Sequence, residues 1–227
     1  MSNANQLVAK IRTDLEALER KIVGHPYLST IEEGRVPRDL FKLFAGQQHH
    51  IISSDLRSIA MLVSRHGTLP SRGFLVNLLQ GEAAALDGLH TFAGALGLNI
   101  IDLETFEPLP EAHAYCGFVA WLALYGSDAE LAGAFFVNFA AWGTNCGRIS
   151  QALREKYGFA ESSLAFFDLF ASLPPFDQEA LSVIQNGLDR GVPARLIHRA
   201  ARMLQGYELM YWDAMAATVG IRIDRGE

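Results

Sequence analysis

Cysteine is scarce in this chain of 227 residues: Cys116 and Cys146 are the only two. They form no C-x-x-C pair and no framework of bridges, so a disulfide scaffold and a zinc-ribbon site are excluded, and both read as small buried hydrophobes. Long apolar runs are missing as well. The nearest approach, Ala114–Tyr125, stops at Gly126-Ser127-Asp128, short of the roughly 20 residues a bilayer span needs. Met1–Lys10 lacks the apolar centre of a signal peptide. Positive charge is in deficit: 19 Lys and Arg against 25 Asp and Glu leave a net charge of -6, which argues against a sequence-independent grip on nucleic acid. The local cluster Arg195, His198, Arg199 and Arg202 reads as the solvated face of one helix. Alternating β-branched runs, repeats, low-complexity stretches and linkers are all lacking. The expectation is a soluble, cytoplasmic, all-α protein of one domain over 1–227, with neither a nucleic-acid nor a membrane partner.

What is present is helical punctuation. Pro37-Arg38-Asp39, Pro70-Ser71, Ser127-Asp128-Ala129-Glu130 and Val192-Pro193 signal helix starts, and Gly24, Gly34, Gly67, Gly97, Gly126, Gly158 and Gly191 signal stops. Apolar residues recur every three to four positions between these marks, as in Leu7, Ile11, Leu15, Leu18 and Ile22. Helices are expected at 3–23, 26–33, 38–66, 70–96, 111–125, 128–157, 161–189 and 193–219, with 98–110 as the one substantial loop. A multi-helical bundle of seven to eight helices around a single core follows. Phe118–Tyr125 and Ala132–Trp142 are apolar nearly all round, which places them centrally or at a subunit interface. A homodimer or higher homo-oligomer is therefore expected.

Three places put polar groups where the pattern asks for apolar ones. Gln47, Gln48, His49 and His50 interrupt the stripe formed by Phe41, Phe44, Ile51, Ile52, Leu56, Ile59 and Val63. A helix of that kind lines a cavity, although two adjacent histidines cannot both face one way. Glu82 lies in an alanine-rich turn, where it either faces solvent beside Gly81 or is buried and requires a partner. Glu208 sits among Tyr207, Leu209, Met210, Tyr211 and Trp212, where desolvation raises a carboxyl pKa into the range useful for acid–base work. His25 before Pro26 reads as a helix start, and His66, His113 and His198 read as loop or surface residues. Trp121, Trp142 and Trp212 have the spacing of core residues as much as of ligand platforms.

His25-Pro26, Gly34-x-x-Pro37, Phe41, Gln47, Glu82 with Gly94-Ala95-Leu96-Gly97-Leu98, Gly126 before Glu130-Leu131, Gly147-Arg148 and the closing Tyr207–Asp213 occur in an order and spacing that resemble the TenA/PqqC group of the haem-oxygenase-like superfamily. The resemblance covers most of the chain. It implies the haem-oxygenase-like bundle and one of three chemistries: hydrolysis of thiamin-related pyrimidines by a Cys and a Glu, metal-free oxidation of a quinone precursor, or oxygen chemistry at two irons as in the branch of the chlamydial death-domain-associating protein. The TenA nucleophile falls at Phe139 or Ala140, while Cys146 lies on the same helix but on another turn and face. The Asp and Tyr of the QDY pattern are Gln48 and His49, so only Glu208 matches the TenA catalytic set. For the iron branch, Glu82 with Asp87 or His90 supplies half a site, but Asn138 stands where a carboxylate belongs, and Phe170, Pro174 and Asp177 where the His/Asp triad belongs. No complete di-iron centre is expected.

The leading expectation is a metal-free enzyme, an oxidoreductase or C–N hydrolase of the TenA/PqqC type, acting on a nitrogen-containing or heterocyclic metabolite in a central helical pocket. Glu208 is its catalytic candidate. Its substrate-binding candidates are Gln47, Gln48, His49, His50, Glu82, Tyr115, Asn138, Trp142, Tyr211 and Trp212, with His90 and Asn145 as further lining groups. No cofactor is expected. Two alternatives stand beside it: a non-haem iron oxygenase or oxidase with a rearranged ligand set drawn from Glu82, Asp87, His90, His49 and Asp177, and a catalytically degenerate protein that kept its pocket or dimer surface as a binding module.

Overall fold

The structure, a computed structural model, describes residues 3–172 and 177–222. Among these residues there are ten α-helices, two short 3-10 turns and no strand. The helices are α1 (Ala4–Val23), α2 (Pro26–Glu32), α3 (Phe41–His66), α4 (Arg72–Ala95), α5 (Ile100–Glu104), α6 (Pro110–Tyr125), α7 (Asp128–Tyr157), α8 (Ala165–Ala171), α9 (Asp177–Asp189) and α10 (Ala194–Thr218).

Their ends follow from local chemistry. α2 begins with Pro26 at its first position, where no backbone N–H is needed, and His25 caps it: Nδ1 accepts from the Tyr27 N–H at 3.2 Å. With Nδ1 accepting, the ring proton sits on Nε2, which donates to Asp213 Oδ1 at 3.2 Å. A neutral His25 therefore ties α2 to α10, and burial holds its pKa below the usual value. α7 opens on a reciprocal capping box between Ser127 and Glu130 and closes on Gly158 at φ 64, a left-handed turn that glycine enters without strain.

α7 is the central element. It packs against α10, α9, α8, α2 and α1, while α3 packs against α4 and α6, and α10 bridges α7 and α6. Arg148 on α7 grips Glu32 through both ends of its guanidinium (2.7 and 2.8 Å) and also donates to the Val23 carbonyl, locking α7 to α1 and α2. The buried apolar side chains form one core cluster. Ala132–Asn138 is buried within the chain itself, as a central helix should be. The Phe118–Tyr125 stretch of α6 instead leaves Trp121, Leu124 and Tyr125 exposed.

Two expected elements differ. The 98–110 segment carries a helix of its own, α5, started by a capping box between Asn99 and Asp102; the prolines around it obscured that signal. The helix expected over 161–189 is a 3-10 turn (Glu161–Ser163) followed by α8 and α9. The apolar periodicity runs across Pro174-Pro175, a pair that cannot continue a helix; Pro174 lies outside the described residues.

α8 lies close against α4 because Gly88 has no side chain: a Cβ there would sit 2.8 Å from the Phe166 backbone nitrogen. Backbone cannot rotate away as a side chain can. Gly88→Ala is therefore expected to destabilise the fold by about 1–3 kcal/mol despite its better helix propensity. Gly81→Ala, on the same helix with open space around it, is expected to gain up to about 1 kcal/mol. Paired thermal melts check the contrast, and equal shifts in the two variants would contradict the close approach.

Candidate active site

Helical phase decides which side chains of α3 look inward. Gln48, Ile51, Ile52 and Asp55 span seven residues, two turns to within about 20°, and all four line a cavity enclosed by α3, α4, α6, α7, α8 and α10. Glu82 reaches it from α4 and Tyr115 from α6; Asn138, Phe139 and Trp142 come from α7, Phe170 from α8, and Glu208 and Tyr211 from α10. The cavity is narrow, with a volume of about 30 Å3. That is room for a couple of waters, and a flat small molecule would have to part the walls.

Glu208 is 2% exposed and held from two sides. Asn138 Nδ2 donates to Oε2 at 2.6 Å, and Trp212 Nε1, one turn on, donates to Oε1 at 3.1 Å. Behind them, Asn138 Nδ2 also reaches Gln205 Oε1 at 3.1 Å, and the Tyr115 hydroxyl donates to Asn138 Oδ1 at 2.9 Å. Burial pushes the Glu208 carboxyl up to about 8, although both N–H donors favour its ionised form.

A second acidic feature lines the same cavity. Asp55 and Glu82 are 3% and 4% exposed, and each has a buried oxygen without a hydrogen-bond partner. Burial raises Glu82 to about 8; burial and then the Glu82 charge raise Asp55 well above the usual carboxylate range. Three carboxyls thus line one cavity together with the rings of Phe139, Trp142, Phe170 and Tyr211. The Trp142 ring stands edge-on to Phe170 and Tyr211, with centroids 5.9 and 6.1 Å apart.

Of the residues singled out in the sequence, Gln48, Glu82, Tyr115, Asn138, Trp142, Glu208 and Tyr211 are brought together here. Others are not. Gln47 is one position, about 100°, out of phase with Gln48, and its Oε1 accepts from the Leu109 N–H at 3.1 Å. Neither His49 nor His50 lines the cavity. They belong to a row of rings, His90–His49–His50–His113, with successive centroids 5.5, 6.0 and 6.1 Å apart. His50 Nε2 donates to the Phe106 carbonyl at 2.6 Å, where the Phe106 ring covers the side-chain-free Gly46. Trp212 stands behind Glu208 rather than on the cavity wall, and Asn145, whose Nδ2 donates to the Ile22 carbonyl at 3.4 Å while its buried Oδ1 has no partner, is not among the lining residues.

The fallback metal donors do not converge. Asp87, about 140° round α4 from Glu82, is exposed, and so is Asp177; His90 sits against His49. Among the described residues no three His, Cys, Asp or Glu side chains are arranged to hold a metal ion, so the residues present do not fit a di-iron group.

The thiols stand apart from the cavity lining. Cys146 is buried and its pKa is raised well above normal by burial; Cys116 is pushed up to about 11 and donates to the His113 carbonyl at 3.1 Å. A thiol kept protonated is a poor nucleophile. The native protein at pH 8 is expected to take up no iodoacetamide, and the chain unfolded in guanidinium to take up two equivalents; mass spectrometry reads both. Modification of the native protein at Cys146 would refute this picture of a closed, inert thiol.

Comparison with known proteins places this geometry. A TenA homolog from Pseudomonas syringae pv. tomato str. DC3000 superposes with a TM-score of 0.79 at 15% identity, covering 92% of this chain and 92% of its own. The TenA homologue protein from P. horikoshii OT3 gives 0.74 at 20% identity over 92% and 97%. A domain of unknown function with a heme oxygenase-like fold from Shewanella denitrificans OS217 gives 0.71 at 13% identity over 93% and 91%. No individually curated protein matches the chain. The fold is thus the heme-oxygenase-like bundle, in which no helix of the described residues is long and apolar enough to cross a membrane. The model of the TENA/THI-4/PQQC family matches residues 12–172, and the chain belongs to that family.

Proposed function

We propose that this protein is an enzyme that processes a small nitrogen-containing or heterocyclic metabolite in the central cavity without a resident metal, with Glu208 as general acid and base. The observation that carries the reading is Glu208 itself: a buried carboxyl on the cavity wall, fixed by Asn138 and Trp212, with its pKa raised to about 8. Near neutral pH such a group is populated in both protonation states, the condition under which one side chain can give a proton to a leaving nitrogen and take one from a water or a substrate carbon. Membership of the TENA/THI-4/PQQC family supports small-molecule chemistry. The cavity offers no thiol, so a covalent route through cysteine is not part of the proposal, and the donor set argues equally against the iron alternative.

The proposal includes a cytoplasmic location and a homo-oligomer. The run of exposed apolar side chains on α6, with Tyr125 72% exposed, supports the latter.

The test is a panel of amino-substituted pyrimidines, pyridines and related amides, incubated with the protein and read by mass spectrometry, with Glu208→Gln as the blank. Conversion by the wild type with a pH–rate limb near 8, absent in the variant, is the expected result. Conversion of equal size by both proteins overturns the role of Glu208.

A further inference from the structure

The acid–base reading uses Glu208 and leaves Asp55 and Glu82 without a task. Both are nearly inaccessible, both line the cavity, and Asp55 Oδ1 and Glu82 Oε2 have no hydrogen-bond partner. Buried carboxyls without partners are costly, and among the described residues the lining offers them only neutral polar groups, the Gln48 amide and the Tyr211 hydroxyl, with no cation to offset their charge. No lysine or arginine is among the residues lining the cavity. The groups facing the pair from the surrounding helices are committed elsewhere: the Tyr115 hydroxyl to Asn138, the Cys116 thiol to His113, and the Glu208 carboxylate to Asn138 and Trp212. α7 and α8 contribute Asn138 and aromatic or apolar surface, with no charge.

We infer that the Asp55–Glu82 end of the cavity is a subsite for a cationic nitrogen of the substrate, an amidinium or protonated amine carried on a small planar molecule. A carboxylate presents two oxygens to the two N–H groups on one edge of an amidinium, and adjacent helices bring two carboxyls to this cavity. The remaining walls, Phe139, Trp142, Phe170 and Tyr211, offer π faces to an organic cation desolvated between them. A bare metal ion would ask for a third donor, which no neighbour supplies among the described residues; an organic cation asks for flat apolar surface, which four rings supply.

This inference rests on the proposed function for the site and adds the charge of what it takes. It carries a signature in protons. Burial raises both acids, Glu82 to about 8, and the Glu82 charge raises Asp55 further, so Glu82 holds its proton at neutral pH. A cation that binds between carboxylates must displace such a proton to the buffer. Binding therefore strengthens as pH rises from 6 toward 8, by up to about tenfold per unit for each proton released, and flattens above. The groups able to modify that slope are those facing the pair, Tyr115, Cys116 and Glu208; the first two stay neutral over this range, their pKa values raised by burial.

The experiment uses the whole chain and two matched pairs of probes, benzamidinium with neutral benzamide and the smaller acetamidinium with acetamide, titrated calorimetrically at pH 7 in buffers of different ionisation enthalpy. At least one pair should show the cation binding about tenfold or more tighter than its amide, with close to one proton released. Asp55→Asn and Glu82→Gln, which replace buried ionisable groups by neutral amides of the same shape and should fold at least as well as wild type, are each expected to erase that preference. No charge preference in either pair overturns the cation subsite and leaves the Glu208 reading standing with a neutral substrate. A preference erased by Glu208→Gln but kept in both other variants also overturns it, because the cation then sits at Glu208. A preference located at Asp55 and Glu82, together with a Glu208 variant that turns substrate over normally, retains the subsite and removes the acid–base proposal instead.

Discussion

Glu208→Gln lowers turnover by about 10²–10⁴-fold, the usual contribution of a positioned acid or base, with the substrate's binding constant nearly unchanged. The amide has the carboxylate's shape but cannot carry a proton through its pKa. It also changes the hydrogen-bond problem, because both groups facing Glu208 are donors. Trp212 has only its N–H to offer, so the Gln oxygen must face Trp212 and its NH₂ must face Asn138. Asn138 then has to turn its oxygen toward position 208. The relay behind it permits that turn: the Tyr115 hydroxyl can accept as well as donate, and Gln205 Nε2, buried without a partner in the present arrangement, can donate once Gln205 turns in step. The variant should therefore fold normally, and a loss of kcat can be assigned to the proton. Kinetics of wild type and variant on the same substrate check it; a variant within about twofold of wild type while the pH–rate limb near 8 persists would move the acid–base role to Asp55 or Glu82.

The same residues show how far the sequence could be read. Glu208 was legible because an acidic residue inside Tyr-x-Leu-Met-Tyr-Trp is buried by its own helix in almost any packing, and a buried carboxyl has a raised pKa wherever it lands. The bundle was legible for a similar reason: caps and apolar periodicity are local, and eight stripes without an alternating strand have few other solutions. The broken helix and α5 were not, although Pro174-Pro175 and the Asn99-x-x-Asp102 capping pattern stand in the sequence. Apolar spacing continues across the proline pair in the first case, and prolines flank the capping pattern in the second.

Asp55 is the instructive omission. Gln47–His50 are four consecutive polar positions, yet a helix shows a cavity only one stripe, and from Gln48 that stripe passes through Ile51 and Ile52 to Asp55. A carboxyl seven residues after a candidate lining residue, flanked by Ile52, Leu56 and Ile59, was the available signal. What no local pattern reveals is which stripe faces inward. That depends on α6 and the segment before it covering the other face, where Gln47 meets Leu109 and His50 meets Phe106.

Glu82→Gln should stabilise the protein at pH 8 by several kcal/mol and do little at pH 4. The folded-state pKa of Glu82 is raised to about 8 from an ordinary 4.5. Between those values the native state holds a proton that the unfolded chain has released, so the contribution is fully present below about 4.5 and is lost as pH climbs to 8. Each unit of that window is worth about 1.4 kcal/mol, and for a chain of this size each kcal/mol moves Tm by about 2–4 °C. Asp55 adds to the slope, since the Glu82 charge is the second cause of its raised pKa, and removing that charge relaxes it. Glu208 has a slope of its own that the variant keeps. His25, His49 and His66 act in the opposite sense, their pKa values held low by burial first, so they weaken the fold as pH falls below about 6.5. These slopes tilt wild type and variant alike, so the informative quantity is the difference between two Tm–pH curves. A gap that opens steadily from pH 5 to 8 is what two unpartnered buried acids require; parallel curves would mean that Glu82 is solvated in the folded protein, and the proposed cation subsite would lose the desolvation on which it depends.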